Sequence, residues 1–167
     1  MEDNRQHNLT RILFAVYFLI LVWILLFKMS FSIDELYKNR SINIIPFMGT
    51  AIVNGRIHTS EIINNIVVFI PVGIYVCMLK KDWPILKKIS VGFFISLGIE
   101  VLQFILSIGA TDITDLIGNT FGGIVVILVF YLFSKVFKNK TNNIINILAL
   151  IATILLIVLI SILFVGN

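Results

Sequence analysis

Long apolar segments separated by short polar ones dominate this chain. Five of them stand out, near residues 11–28, 61–79, 89–108, 113–134 and 144–165. Each has roughly the 20 residues that a helix needs to cross the hydrocarbon of a bilayer. None alternates apolar and polar residues as the strands of a membrane barrel do. Because backbone polar groups inside a bilayer must bond within the protein, the pattern predicts an all-α membrane protein, a bundle of about five transmembrane helices.

Composition supports this prediction. Hydrophobic residues make up 59% of the chain and charged residues only 13%, against about 25% charged in a soluble domain. The apolar segments use nearly the whole length, so we expect residues 1–167 to form a single membrane domain. The lone cysteine, Cys77, excludes an intramolecular disulfide and a cysteine-based metal site. We interpret the formal charge of +4 as basic loops that meet anionic lipid, rather than as nucleic-acid binding.

Basic residues predict the orientation. They precede the first segment and fill the loops after the second and fourth, namely Arg5, Arg11, Lys80, Lys81, Lys87, Lys88, Lys135, Lys138 and Lys140. The positive-inside rule therefore places the N-terminus in the cytoplasm and the C-terminus outside, with the membrane crossed several times. The first loop, about 29–60, must then lie outside although it carries Lys38, Arg40 and Arg56.

That loop has structure of its own. The segment SIDE at 32–35 is a capping-box pattern and predicts a short helix near residue 33. The segment NIIPF at 43–47 combines apolar residues with a proline, which indicates a stretch lying in the membrane interface. We expect the loop to fold back over the outer mouth of the bundle.

Polar residues recur at helical spacing in the middle segments. Ser96, Glu100, Gln103 and Ser107 lie on one face of the third, and Asp112, Asp115, Asn119 and Gly122 lie on one face of the fourth. The turn at 108–111 is short, so these two helices should be antiparallel neighbours. Asn64 and Asn65 begin the second segment. Three helices therefore bring polar groups to the same outer half of the membrane, where Glu100 and Asp115 should meet.

An ionisable residue inside a membrane segment is expensive, so it usually marks function. We predict catalytic roles for Glu100, Asp115 and Asp112, and substrate binding by Gln103, Asn119, Arg56, Asn64 and Asn65. Simpler roles stay open: amides and acids can join helices, Asp112 can cap the fourth helix, and Arg56 can be a surface charge. His58 and the acids offer metal ligands, but nothing in their spacing requires a metal, so none is predicted and the cofactor is left undefined.

Four motifs together resemble the VanZ-like family of small bacterial membrane proteins. They are NIIPF at 43–47, NNIVVFIPVG at 64–73, GIEVLQ at 98–103 and TDITDLIGNTFGG at 111–123, within a region of about 40–135. The family is named for a low-level teicoplanin resistance factor, so the resemblance implies a multi-pass protein of the bacterial plasma membrane that acts in the cell envelope and lowers glycopeptide susceptibility. The family often has an arginine before the first aspartate, whereas this chain reads IGATD at 108–112. Either that role is missing here or Arg56 supplies it.

The leading hypothesis is an outward-facing polar pocket that binds or acts on a membrane lipid, a lipid-linked envelope precursor or an anionic headgroup. Whether it is an enzyme is left open. One alternative is a small transporter or proton-coupled carrier, which the apolar inner halves of the helices disfavour. Another is a structural or interaction protein whose polar cluster only fixes helix packing. The fifth segment, nearly all apolar with Thr153 and Ser161, is expected to be a structural wall. The oligomeric state is not predicted.

Overall fold

Helices account for most of the structure. The computed structural model describes residues 2–27, 39–47, 52–53, 56–57 and 59–165. Within these ranges the helices are α1 (Glu2–Phe27), α2 (Thr59–Leu79), α3 (Ile85–Leu106), α4 (Ile113–Phe137) and α5 (Thr141–Val165). The strands are β1 (Asn39–Asn43), β2 (Ile52–Val53), β3 (Arg56–Ile57) and β4 (Ile108–Asp112).

The helices coincide with the long apolar segments of the sequence. Among the described residues, four helical stretches are long and apolar enough to cross a membrane: Asn4–Leu26, Ile62–Leu79, Ile85–Leu106 and Ile113–Ile162. The last has 50 residues and contains both α4 and α5. The prediction of an α-helical membrane protein is confirmed at this level.

The chain reverses between α4 and α5. A single 3₁₀ turn at Lys138–Lys140 separates the two helices, and Lys138 adopts a left-handed φ of 47° at the end of α4. Ile145 and Ala149 of α5 then pack against a core cluster that contains Phe130 of α4. In one straight helix these residues would be more than about 20 Å apart at a rise of about 1.5 Å per residue. We conclude that α5 folds back beside the bundle.

The interface between α2 and α4 is the tightest in the bundle. A Cβ added to Gly122 would lie 2.9 Å from the carbonyl carbon of Ile66, and one added to Gly73 would lie 2.9 Å from the carbonyl oxygen of Gly123. Only glycine permits backbones to approach this closely. Gly122 and Gly73 therefore hold α4 against α2 beside the polar residues of both helices.

Residues of the long first loop cap one end of the bundle. Strand β1 pairs in parallel with β4, from Asn39 opposite Ile108 to Asn43 opposite Asp112. The predicted turn at 108–111 between α3 and α4 is thus a strand. The helix predicted near residue 33 lies outside the described residues. The polar residues of α3 and α4 lie at this end of the bundle, which we call the strand end, and the lysine-rich turns lie at the other, which we call the basic end.

A buried amide network joins α5 to α1, and it corrects the view of α5 as an apolar wall. Asn146 is fully buried, accepts a hydrogen bond from the Thr10 hydroxyl at 3.0 Å and donates to the Gln6 side chain at 2.8 Å. Thr153 and Ser161, by contrast, donate only to carbonyls of their own helix. The sequence analysis overlooked Asn146. An amide within an otherwise apolar segment was the signal that could have identified it.

Candidate functional site

The N-terminus of α4 organises the polar residues. Asp112 is its N-cap: the backbone is extended and one carboxylate oxygen accepts from the Thr114 N–H at 2.7 Å. The other carboxylate oxygen accepts from the side-chain amide of Asn43 in β1 at 3.0 Å. The simpler role considered for Asp112 is therefore present, because this side chain satisfies one of the N–H groups that the helix itself leaves free.

Glu100 reaches the same helix end from α3. Its side chain is buried, 4% exposed, and one carboxylate oxygen accepts from the Asp112 N–H at 3.1 Å. The Thr111 hydroxyl donates to the Glu100 carbonyl at 3.1 Å, so strand β4 is attached to α3 twice. The positive end of the α4 dipole stabilises a carboxylate at this position. A buried acid is thereby held next to the start of a helix.

Asp115 lies in the first turn of α4 and connects it to α2. One of its carboxylate oxygens accepts from the Asn65 amide at 2.6 Å. Asn65 is 8% exposed, whereas its neighbour Asn64 is on the exposed face of α2. The described hydrogen bonds thus place Asn65 in the site and leave Asn64 at its edge.

Asn119, one turn deeper in α4, pairs with α3. Its amide donates to the Ser96 hydroxyl at 2.9 Å, and both side chains are almost completely buried. The Asn119 amide oxygen has no hydrogen-bond partner among the described residues. An unpaired amide oxygen in a buried site costs about 1–3 kcal/mol. It is therefore an acceptor that a bound donor could use.

Gln103 faces a different neighbour from the one its stripe suggested. Its amide donates to the backbone carbonyl of Leu25 in α1 at 2.8 Å, and its oxygen has no partner among the described residues. The helical stripe of α3 thus bridges two helices: Ser96 and Glu100 contact α4, and Gln103 contacts α1. Ser107 lies beyond the helix end, as its left-handed C-cap.

The segment after β1 covers the site. The Phe47 N–H donates to the hydroxyl of Thr114, which is itself buried at 3% exposure. Together with the contact between Asn43 and Asp112, this places 39–47 over the start of α4. Sequence reasoning expected an interfacial segment here, but it missed Thr114 and Asn43 as site residues. The aspartates on either side of Thr114 were the signal that could have identified it.

We define the polar cluster as the side chains gathered here from three helices and two strands: Asn43, Asn65, Ser96, Glu100, Asp112, Thr114, Asp115 and Asn119. Arg56 is in β3, but its side chain and all of His58 lie outside the described part of the chain. Among the residues described, no three His, Cys, Asp or Glu side chains are grouped to hold a metal. The described contacts link Glu100 and Asp115 through the first turn of α4; their direct contact stays a prediction.

The sequence profile of the VanZ/LLP1 family matches residues 14–137. The chain belongs to the VanZ family. Protein VanZ of Enterococcus faecium is 39% identical over 134 residues, which cover 79% of this chain and 80% of that protein. No solved structure matches the chain.

The residues matched by the family include the candidate site. It runs from within α1 to Phe137, the last residue of α4, and so contains the whole polar cluster. Helix α5, the 3₁₀ turn and the amide network partner Asn146 lie beyond it. The family match therefore includes the four helices α1 to α4 and all residues of the polar cluster.

Proposed function

We propose that this VanZ-family protein lowers bacterial susceptibility to glycopeptides such as teicoplanin, by binding or acting on a lipid or lipid-linked envelope precursor at the polar cluster. The single observation that carries the proposal is the convergence of Glu100, Asp112 and Asp115 on the first turn of α4. Amides and hydroxyls alone would suffice to join helices, whereas carboxylates at this depth are expensive. The relationship to Protein VanZ supports the choice of phenotype.

In this proposal the chain crosses the plasma membrane five times, with the N-terminus in the cytoplasm and the strand end outside. The separate packing of α4 and α5 supports five crossings rather than four. The lysines of the basic end support a cytoplasmic position for that end: Lys80 and Lys81 follow α2, Lys87 lies in the first turn of α3, and Lys138 and Lys140 lie between α4 and α5. The polar cluster then opens to the outer leaflet, where envelope precursors are used.

The roles proposed for the three acids differ because their positions in the site differ. Asp112 is committed to capping α4, so its role is to position the N–H that holds Glu100. Glu100 and Asp115 are the groups that could move a proton or anchor a cationic or hydroxyl group of the substrate. Asn65 and Asn119 orient the site, and Arg56 is proposed to bind an anionic headgroup.

Two substitutions at Asp115 separate this function from simple helix packing. Asp115→Asn retains an oxygen that can accept from Asn65 at the present 2.6 Å contact but removes the charge, while Asp115→Leu removes both. If the charge is needed for function, both variants lose teicoplanin protection in cells that express the protein at equal level. Minimum inhibitory concentration, with an empty-vector strain as reference, is the measurement.

The packing alternative has its own support, because Asn65–Asp115 and Ser96–Asn119 each join two helices. It predicts that Asp115→Asn protects as well as the parent protein and that only Asp115→Leu fails, with a lowered melting temperature in detergent. That outcome would remove the functional role of the carboxylate.

A further inference from the structure

A second, apolar feature lies away from the polar cluster. A groove of about 430 Å³ lies between α4 and α5, with α1 and α2 forming its floor. Its volume is within the range of about 300–1,000 Å³ that small-molecule sites occupy. Tyr17 and Pro71 contribute to the floor, and Phe130 and Ala152 to the two sides. The function proposed for the polar cluster does not involve this groove.

The wall of the groove offers hydrocarbon and few polar groups. The Tyr17 hydroxyl donates to the carbonyl of Val68, and the Thr153 hydroxyl donates to the carbonyl of Ala149 at 2.7 Å. These hydroxyls are therefore already satisfied by backbone. The remaining lining is almost entirely aliphatic and aromatic, so the favourable occupant is a hydrocarbon chain.

The groove opens to the membrane, and its length matches a leaflet. Val129 on α4 and Leu148 on α5 line it, yet they are 53% and 59% exposed, so its mouth lies between these two helices on the lipid-facing surface. The lining on α5 runs from Ile145 to Leu156, about 16 Å at a rise of about 1.5 Å per residue. One leaflet contributes about half of the roughly 30 Å of hydrocarbon.

Lysines cluster at the end of the groove nearest the basic end. Phe133 and Ile145 line that end, and between them along the chain are the exposed Lys135, Lys138 and Lys140. No acidic residue follows Asp115 in the sequence. A headgroup at this turn would therefore meet lysines without a competing carboxylate from α5 or from the turn.

From this combination we propose that the groove binds one anionic phospholipid, with an acyl chain between α4 and α5 and the phosphate at the Lys138–Lys140 turn. Charge complementarity selects this occupant over a neutral lipid. The proposal goes beyond the proposed function, because the groove and the turn lie towards the other end of α4 from the polar cluster. It stands whether or not the carboxylates act on a substrate.

Native mass spectrometry of the purified full-length protein tests it, with phosphatidylglycerol and phosphatidylcholine of identical acyl chains as the added lipids. We expect a single phosphatidylglycerol adduct, bound about tenfold or more tightly than phosphatidylcholine. The combined variant Lys135→Gln, Lys138→Gln, Lys140→Gln should lose this preference. The matched variant Lys80→Gln, Lys81→Gln, Lys87→Gln, at the other turn of the basic end, should keep it.

Filling the groove tests the position of the acyl chain. Ala152→Phe projects a ring into the groove and should weaken both lipids, whereas Ala15→Phe, on an exposed face of α1 outside the groove, should change neither. Equal binding of the two lipids by the parent protein would overturn the proposal. So would equal effects of the two lysine variants, equal effects of the two phenylalanine variants, or a dimer mass in place of the lipid adduct.

Discussion

Replacing Glu100 by glutamine is expected to abolish most of the protection against teicoplanin while leaving the protein folded. Glutamine has the same size, and its amide oxygen can still accept from the Asp112 N–H that Glu100 now binds at 3.1 Å. What disappears is the ionisable carboxyl of a side chain that is only 4% exposed. If Glu100 moves a proton, loss of its carboxyl should slow the step by roughly 10²–10⁴-fold, which is enough to bring susceptibility to the empty-vector value.

The measurement is the minimum inhibitory concentration at matched membrane abundance, and Asp82→Asn is the control. Asp82 is an exposed acid in the turn between α2 and α3, at the basic end, so its substitution should leave protection unchanged. A Glu100→Gln protein that accumulates normally and protects as well as the Asp82→Asn protein would show that the carboxylate has no functional role.

Gly122→Ala is expected to have the largest effect on folding. Its new Cβ would lie 2.9 Å from the carbonyl carbon of Ile66, closer than real Cβ atoms approach such a group, and a rigid helix backbone cannot yield as a side chain does. Helices α2 and α4 must separate, so the interface that carries Asn65 and Asp115 is disturbed as well. We expect a loss of about 3 kcal/mol of stability, seen as a lower melting temperature and reduced abundance.

Gly123→Ala is a control one residue away. A Cβ at Gly123 would have no neighbour within 4 Å outside its own helix backbone, so alanine should be tolerated. The Gly123→Ala protein should be slightly more stable than the parent, because alanine favours the helix over glycine by about 1 kcal/mol in peptides. Equal melting temperatures for the two variants would mean that α2 and α4 do not approach as closely as the structure has them.

The positions and lengths of the apolar segments predicted the helices well, for a physical reason. Each segment that enters hydrocarbon must satisfy its own backbone, so the run of apolar residues and the helix nearly coincide, as in α4, predicted at 113–134 and found at Ile113–Phe137. The main difference is α1, predicted from residue 11 and found from Glu2. Its polar first turns stay helical beside α5, where Gln6 and Thr10 bond Asn146.

Helical period predicted which residues share a face but not which neighbour that face meets. The stripe of Ser96, Glu100 and Gln103 is real, yet it lies between α4 and α1 and divides its contacts between them. Packing partners depend on the crossing of whole helices, which local spacing does not encode. The meeting of Glu100 with the start of α4 was predictable because the connection at 108–111 is too short to allow another arrangement.

The pairing of β1 with β4 could not be predicted. It joins Asn43 to Asp112, which are 69 residues apart in the sequence, and such non-local pairing leaves no periodic signal in either segment. Its consequence is functional, because it brings Asn43 and Phe47 over the first turn of α4. The sequence predicted that the first loop folds back over the bundle. It did not predict which residues of β1 pair with which residues of β4.

The central claim, that the polar cluster binds an envelope lipid or lipid-linked precursor, is tested most directly by photocrosslinking in living cells. Phe47 is 55% exposed, and its N–H is held by Thr114, so a benzoylphenylalanine at this position samples the mouth of the cluster. The same group at Phe94, 64% exposed in the middle of α3, reports bulk lipid. We predict that position 47 captures a lipid or precursor species absent at position 94, and that Glu100→Gln reduces its capture. Identical products at the two positions, unaffected by Glu100→Gln, would contradict the claim.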